Sequence, residues 1–225
     1  MSARLSGAVG PARPPGTSMV LVAVAAMVAV VVASNVLVQH PVDGRLGPVA
    51  LADVLTWGAF TYPLAFLVTD MTNRWLGPVV ARRVVYVGFA VAVALSIQLA
   101  TPRIAVASGA AFLVAQLLDI GIFNRLRRAA WWQAPLIASL LGSLVDTAIF
   151  FGTAFGPLGA PFGADDSFAI ELAPLFGAFA PELPRWTSWA LGDLSVKLAA
   201  ALLLLAPYRA AMALIFAPPF EPTRA

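Results

Sequence analysis

The feature that most restricts this chain is an unbroken apolar run. Residues 19–38 contain no Asp, Glu, Lys or Arg. About 20 helical residues reach roughly 30 Å, the thickness of a bilayer's hydrocarbon core. Further apolar stretches follow at about 51–73, 84–101, 104–123, 131–155 and 188–208, and none of them carries more than two charges. Composition closes the argument. Hydrophobic residues make up 60% of the chain and charged residues 11%, whereas soluble domains need about 25% charged residues to face water. The expected fold is an all-α integral membrane protein with six transmembrane helices in one compact bundle. Residues 1–18 and 209–225 are expected as tails, with a long loop at 156–187.

Orientation follows from where the arginines fall. Arg4, Arg13, Arg74, Arg82, Arg83, Arg125, Arg127, Arg128, Arg209 and Arg224 lie at one end of the expected spans. Only Arg45, Arg103 and Arg185 lie at the other, beside Asp43, Asp165, Asp166, Glu171 and Glu182. The positive-inside rule then places both termini in the cytoplasm. Arg4 and Arg13 ahead of a valine-rich run also fit a signal peptide cut near Ala33, but an uncleaved first span is the favoured reading. The segment 168–183, broken by Pro174 and Gly177, is expected as an interfacial or re-entrant helix and not as a seventh span.

Much chemistry is excluded. The chain has no Cys and a single His, His40, so thiol catalysis, zinc clusters and most His-based sites are ruled out. There is no phosphate loop, dinucleotide fingerprint, H-E-x-x-H or G-x-S-x-G. Asp119 and Asp146 lack the flanks of an aspartyl protease. No catalytic residue, metal or cofactor is expected. The basic excess is an orientation signal, so nucleic acid is not an expected partner. The expected partners are lipid and a small molecule, with self-association left open.

Charges inside a span cost at least about 2.5 kcal/mol each on insertion scales, so each needs a partner or a wet cavity. In the second span Tyr62, Phe66, Thr69 and Asn73 share a face with Asp70 and Arg74, which stand four apart and are placed to pair. In the fourth, Phe112, Gln116, Asp119 and Phe123 form one stripe. Such a stripe faces the bundle interior, either as a helix–helix hydrogen bond or as a substrate contact. In the fifth, Ser139, Ser143 and Asp146 repeat that pattern, and part of their stripe fits close helix packing. Asp193 and Lys197 in the sixth stand one turn apart, placed to neutralise each other or to let Lys197 reach Asp146. Asn35 interrupts the first span. Four enclosed Asp against one Lys favour a cation or a ligand rich in hydrogen-bond donors. AFLV recurs at 65–68 and 111–114, each followed by Asn-Arg, which hints that spans two and four play similar parts.

Three blocks carry a family likeness. The stretch TWGAFTYPLAFLVTDMTNRWLG (56–77) followed by ARRVV (81–85), then ASGAAFLVAQLLDIGIFNRLR (107–127), then WWQAPLIASLLGSLVDTAIFF (131–151) resemble the queuosine precursor transporter family, also grouped as vitamin uptake transporters. Weaker echoes are ASNVLVQHPV (33–42) and the VKL and LLLAPY segments of the last span. The loop 156–187 is longer and richer in Gly and Pro than the family pattern. The resemblance implies import across the inner membrane of 7-deazaguanine precursors of a modified tRNA base, such as the 7-cyano and 7-aminomethyl forms. The expected substrate-binding residues are Asn35, Phe66, Asp70, Phe112, Gln116, Asp119, Ser143, Asp146 and Lys197. A carboxylate accepts the adjacent N1–H and 2-amino donors of a guanine-like edge, and aromatic rings stack on its face. The alternative is a binding subunit that relies on a separate ATPase module.

Overall fold

The structure, a computed structural model, describes residues 16–215. The tails 1–15 and 216–225, including Arg4, Arg13 and Arg224, lie outside the described residues. Helix α1 (Thr17–Leu37) leads into a small hairpin, β1 (Arg45–Leu46) and β2 (Val49–Ala50), and then into α2 (Gly58–Thr61) and α3 (Leu64–Leu76). Next come α4 (Pro78–Leu99), α5 (Pro102–Leu126) and α6 (Gln133–Ala154). A loop holds α7 (Ser167–Ile170) and a second hairpin, β3 (Leu172–Leu175) and β4 (Phe179–Pro184). Helices α8 (Arg185–Leu203) and α9 (Leu205–Ile215) follow.

Among the described residues five stretches are long and apolar enough to cross a bilayer: α1, α4, α5, α6 and Arg185–Leu214. The expected second span, 51–73, differs. It is divided into a 3-10 turn at Leu51–Asp53, then α2 and α3. Pro63 carries no backbone N–H and breaks the hydrogen-bond ladder between the two helices. Tyr62 and Pro63 nevertheless keep helical dihedrals, so α2 and α3 form one kinked rod. Alone, the 13 residues of α3 reach only about 20 Å. At the other end Gly77 stops α3 with a positive φ of 83°, and Pro78 starts α4 well before the expected 84. Proline suits a first helical position because its fixed φ is already helical and its missing N–H has no partner there anyway. Pro102 does the same for α5, where the Thr101 hydroxyl accepts from the Ile104 amide.

Helix α5 is the centre of the bundle, packed between α4 and α6 with α3 across it, while α8 closes against α6. One core joins Met27, Val84, Phe112 and Ile120, and a second joins Phe123, Ala134, Ala138 and Tyr208. Leu21, Val22, Ile97 and Leu203 are exposed, as lipid contact requires. Helix ends sort by charge. The junctions α3–α4, α5–α6 and α8–α9 gather Arg74, Arg82, Arg83, Arg125, Arg127, Arg128 and Arg209 at one end of the bundle.

The segment 168–183 is mainly a β-hairpin, not the expected helix. Pro174, Pro181 and Pro184 withhold amides a helix would need, and Phe176 and Gly177 both take positive φ at the turn. The rest of the loop is pinned by Arg103, only 4% exposed. Its guanidinium donates to the carbonyls of Thr153, Gly156 and Gly163 and to the Asp165 carboxylate at 2.7 Å. A cation at the carbonyl end of α6 is favoured by the helix dipole as well. Truncating this residue strands several buried carbonyls, at about 1–3 kcal/mol each. Arg103→Ala is therefore expected to lower the melting temperature in detergent and to open 156–166 to limited proteolysis. An unchanged cleavage pattern would contradict this anchoring.

Candidate functional site

Lys197 is 4% exposed in the middle of α8. Its ammonium donates to Asp146 Oδ2 at 2.6 Å and to Asp193 Oδ2 at 2.5 Å. Tyr62, at the kink between α2 and α3, donates its hydroxyl to Asp146 Oδ1 at 2.9 Å. The Thr147 hydroxyl donates to Asp193 Oδ2 at 3.0 Å. Both partners read as alternatives from sequence are thus engaged at once. The formal charges of the cluster, one positive and two negative, sum to −1. The Lys197 ammonium also lies 5.2 Å from the centre of the Tyr62 ring, and that ring meets Phe66 and Phe112 edge-on.

This cluster is the floor of a cavity of about 850 Å³, within the range of small-molecule sites, roughly 300–1,000 Å³. The cavity lies at the end of the bundle away from the arginine-rich junctions. Its walls include Ser34, Asn35, Ser108, Phe151, Phe155 and Trp189, and the hairpin residues Pro174 and Phe176 line it too. The Asn35 side-chain amide donates back to the Val31 carbonyl, leaving its oxygen free. Asp193 is the more exposed carboxylate of the floor, at 18% against 4% for Asp146.

The expected site residues divide into two levels. Asn35, Asp146 and Lys197 line the cavity, whereas Phe66, Asp70, Phe112, Gln116, Asp119 and Ser143 do not. Phe66, Asp70 and Ser143 instead line a space of about 10 Å³ on the arginine side of the floor, with Lys197 at its top. Gly142 lets Phe66 pack there, since a Cβ at that position would stand 2.7 Å from the ring. Gln116 accepts from the Thr69 hydroxyl at 2.5 Å, the helix–helix bond that was one reading of its stripe. Asp70 accepts from Ser139 at 3.4 Å.

Arg74 does not pair with Asp70. It turns toward the arginine-rich end, donating to the Tyr208 hydroxyl at 2.9 Å and the Arg127 carbonyl at 2.8 Å, and it stacks on Phe123. Arg127 returns a bond to the Arg74 carbonyl at 3.0 Å. A guanidinium offers five donors in a fixed fork, so carbonyls and a phenol satisfy it without a carboxylate. This latch ties α3, α5 and α9 together below the small space. The sequence marks neither Tyr208 nor Arg103 as an anchor. Their only signals were a tyrosine at the end of an apolar run and an arginine directly after a helix-starting proline.

The family model described as "Putative vitamin uptake transporter" matches residues 56–100 and 95–211. A Haemophilus influenzae protein named "Probable queuosine precursor transporter" is 36% identical over 163 residues, covering 60% of this chain and 69% of its own. An Escherichia coli "Queuosine precursor transporter" is 35% identical over 164 residues, covering 64% and 72% respectively. This chain belongs to the queuosine precursor transporter family. Members of the family carry transporter names, so the chain is a multi-pass membrane transporter and not an enzyme. No solved structure matches it.

Removing one partner of a buried ion cluster leaves uncompensated charge, at about 3–5 kcal/mol. Lys197→Met, which leaves two facing carboxylates, is expected to depress thermal stability in detergent strongly. The triple variant Lys197→Met, Asp146→Asn, Asp193→Asn is expected to recover much of the loss. Equal stability of the single and triple variants would sink the charge argument.

Proposed function

We propose that this protein imports queuosine precursors, 7-cyano-7-deazaguanine and 7-aminomethyl-7-deazaguanine, across the inner membrane for salvage into tRNA modification. The observation that carries this reading is the Asp146–Lys197–Asp193 floor beneath an open cavity, in a chain whose relatives are named queuosine precursor transporters. A 7-deazaguanine presents N1–H and 2-amino donors on one edge. Asp193, with an oxygen free of the Lys197 bond, and Asp146 behind it offer the matching acceptors. Phe151, Phe155 and Trp189 supply aromatic faces for the flat ring, and the Asn35 oxygen supplies a further acceptor. The net negative floor also favours the ammonium of the aminomethyl form. The remaining expected residues, Phe66, Asp70, Phe112, Gln116, Asp119 and Ser143, stand along the onward route. They meet the substrate only once the cavity opens toward the arginine-rich end.

In this reading the kinked α2–α3 rod is a sixth crossing, the transmembrane domain runs 19–208, and the tails 1–18 and 209–225 are cytoplasmic. The cavity then faces outward. The chain has no Cys, so single cysteines report topology directly. A cysteine at position 162 is expected to react with an impermeant maleimide in intact cells, and one at 128 only after lysis. Reaction at 128 in intact cells would reverse the orientation.

Purified protein is expected to bind both 7-deazaguanines in preference to guanine and to unrelated vitamins, read by radioligand displacement. Asp146→Asn removes a floor acceptor that also holds Lys197 and is expected to cut uptake at least about tenfold, the equivalent of 1.4 kcal/mol, at normal membrane levels. Unaltered uptake in Asp146→Asn, or preference for an unrelated vitamin, would overturn the site or the substrate.

A further inference from the structure

We infer that Asp70 and Asp119 form a shared-proton site that couples import to proton entry. The inference rests on the transport reading above. Helices α3 and α5 are held in register by Thr69 to Gln116 and by Asn73 to the Ile120 carbonyl. Between these two bonds Asp70 of α3 and Asp119 of α5 are set into the same buried seam. Asp119 is fully buried and Asp70 is 2% exposed. Neither Asp119 oxygen has a donor, and Asp70 Oδ1 has none either. Two buried carboxylates short of donors, in an apolar bundle, are a costly arrangement. One proton between them supplies the missing donor, as in other carboxyl pairs that share a site.

A second observation points the same way. Ser143, 1% exposed, lines the same small space as Asp70, and its hydroxyl is unpartnered. With Ser139, which bonds Asp70, and Asp146, which belongs to the floor, it makes a polar stripe on one face of α6. That stripe runs from the floor of the cavity to the carboxyl pair. The space itself, about 10 Å³, is close to the least that holds one water, ~10–15 Å³. A proton fits there with one water to carry it, and a hydrated metal ion does not.

The surroundings leave the pair responsive. Arg74, one turn along α3 from Asp70, is committed to Tyr208 of α9 and to the Arg127 carbonyl at the end of α5. Lys197 of α8 is committed to the floor carboxylates. Helix α6 presents the hydroxyls of Ser139 and Ser143, and α4 presents Ala81, Val84 and Val85, which carry no charge. The pair sits between the open cavity and the Arg74–Tyr208–Arg127 latch. Adding or removing its proton changes the cost of parting α3 from α5 where an inward opening must form.

The test uses the full chain in liposomes. At one proton per substrate, a pH gradient one unit more acidic outside the liposomes supports about tenfold accumulation of 7-cyano-7-deazaguanine inside. Wild type is expected to reach it, with no response to a sodium gradient. Asp119→Asn and Asp70→Asn, neither of which lines the outer cavity, are expected to keep binding of the deazaguanine by radioligand displacement and to lose gradient-driven accumulation. Infrared spectra of substrate-free wild type at neutral pH are expected to show a protonated-carboxyl band that either variant removes. Should a variant fail to fold, ¹³C-aspartate labelling assigns the band. Indifference to the proton gradient, drive by sodium, accumulation retained in both variants, or absence of the band would each overturn the proposal. The band needs no substrate. Failure of the substrate assignment alone therefore shows as wild type that neither binds nor imports the deazaguanine while keeping the band.

Discussion

Burying Lys197 governs the geometry of this protein. An ammonium inside a bilayer-spanning helix is tolerated only when its charge is answered locally, and here the answer comes from two directions. Asp193 sits one turn away on α8, and Asp146 reaches across from α6. The first bond is a local matter, but the second fixes the spacing and rotation of two helices. Tyr62 extends the constraint to the kinked α2–α3 rod by bonding the other oxygen of Asp146. Elements from three parts of the chain are thus registered to one cation. The wall between the large cavity and the tightly packed half of the bundle stands at that level.

On either side of the wall the chemistry differs. The cavity side has room and an exposed acceptor in Asp193. The other side has almost no room and several buried polar atoms without partners, among them Gln116 Nε2, Asp119 Oδ1 and Oδ2, and Ser143 Oγ. Native interiors hold few such atoms, and each asks for an explanation. The explanation proposed above is a proton shared by Asp70 and Asp119 in a region that opens during transport. The arginine latch below completes the order of layers, its hydrogen bonds set beside the apolar cluster of Phe123, Ala134, Ala138 and Tyr208.

The apolar runs and the charge asymmetry were legible because membrane insertion selects on composition along a single helix, a local property. Interior stripes were legible for the same reason: Phe112, Gln116, Asp119 and Phe123 share a face by helical spacing alone, and all four are buried. The division of the second span was only half visible. Pro63 stands in plain view, but whether a proline ends or merely bends a helix depends on its neighbours. The segment 168–183 reads as a helix from sequence because apolar residues in a short segment fit a strand as well as a helix. Arg103 was counted as a surface charge, for its partners at Thr153, Gly156 and Gly163 lie 50 to 60 residues away.

By itself, then, the sequence determined that this chain crosses a membrane several times, which end gathers positive charge, and which polar residues turn inward. Each of these follows from the cost of exposing charge to lipid, which a single helix settles alone. Tertiary structure decided how those inward residues group. It set Asn35, Asp146 and Lys197 on a cavity and Asp70 with Asp119 beneath it. It also sent Arg74 to Tyr208 instead of to its neighbour four residues before. Pairing of this kind depends on distances between helices, and the periodicity of one helix carries no record of them.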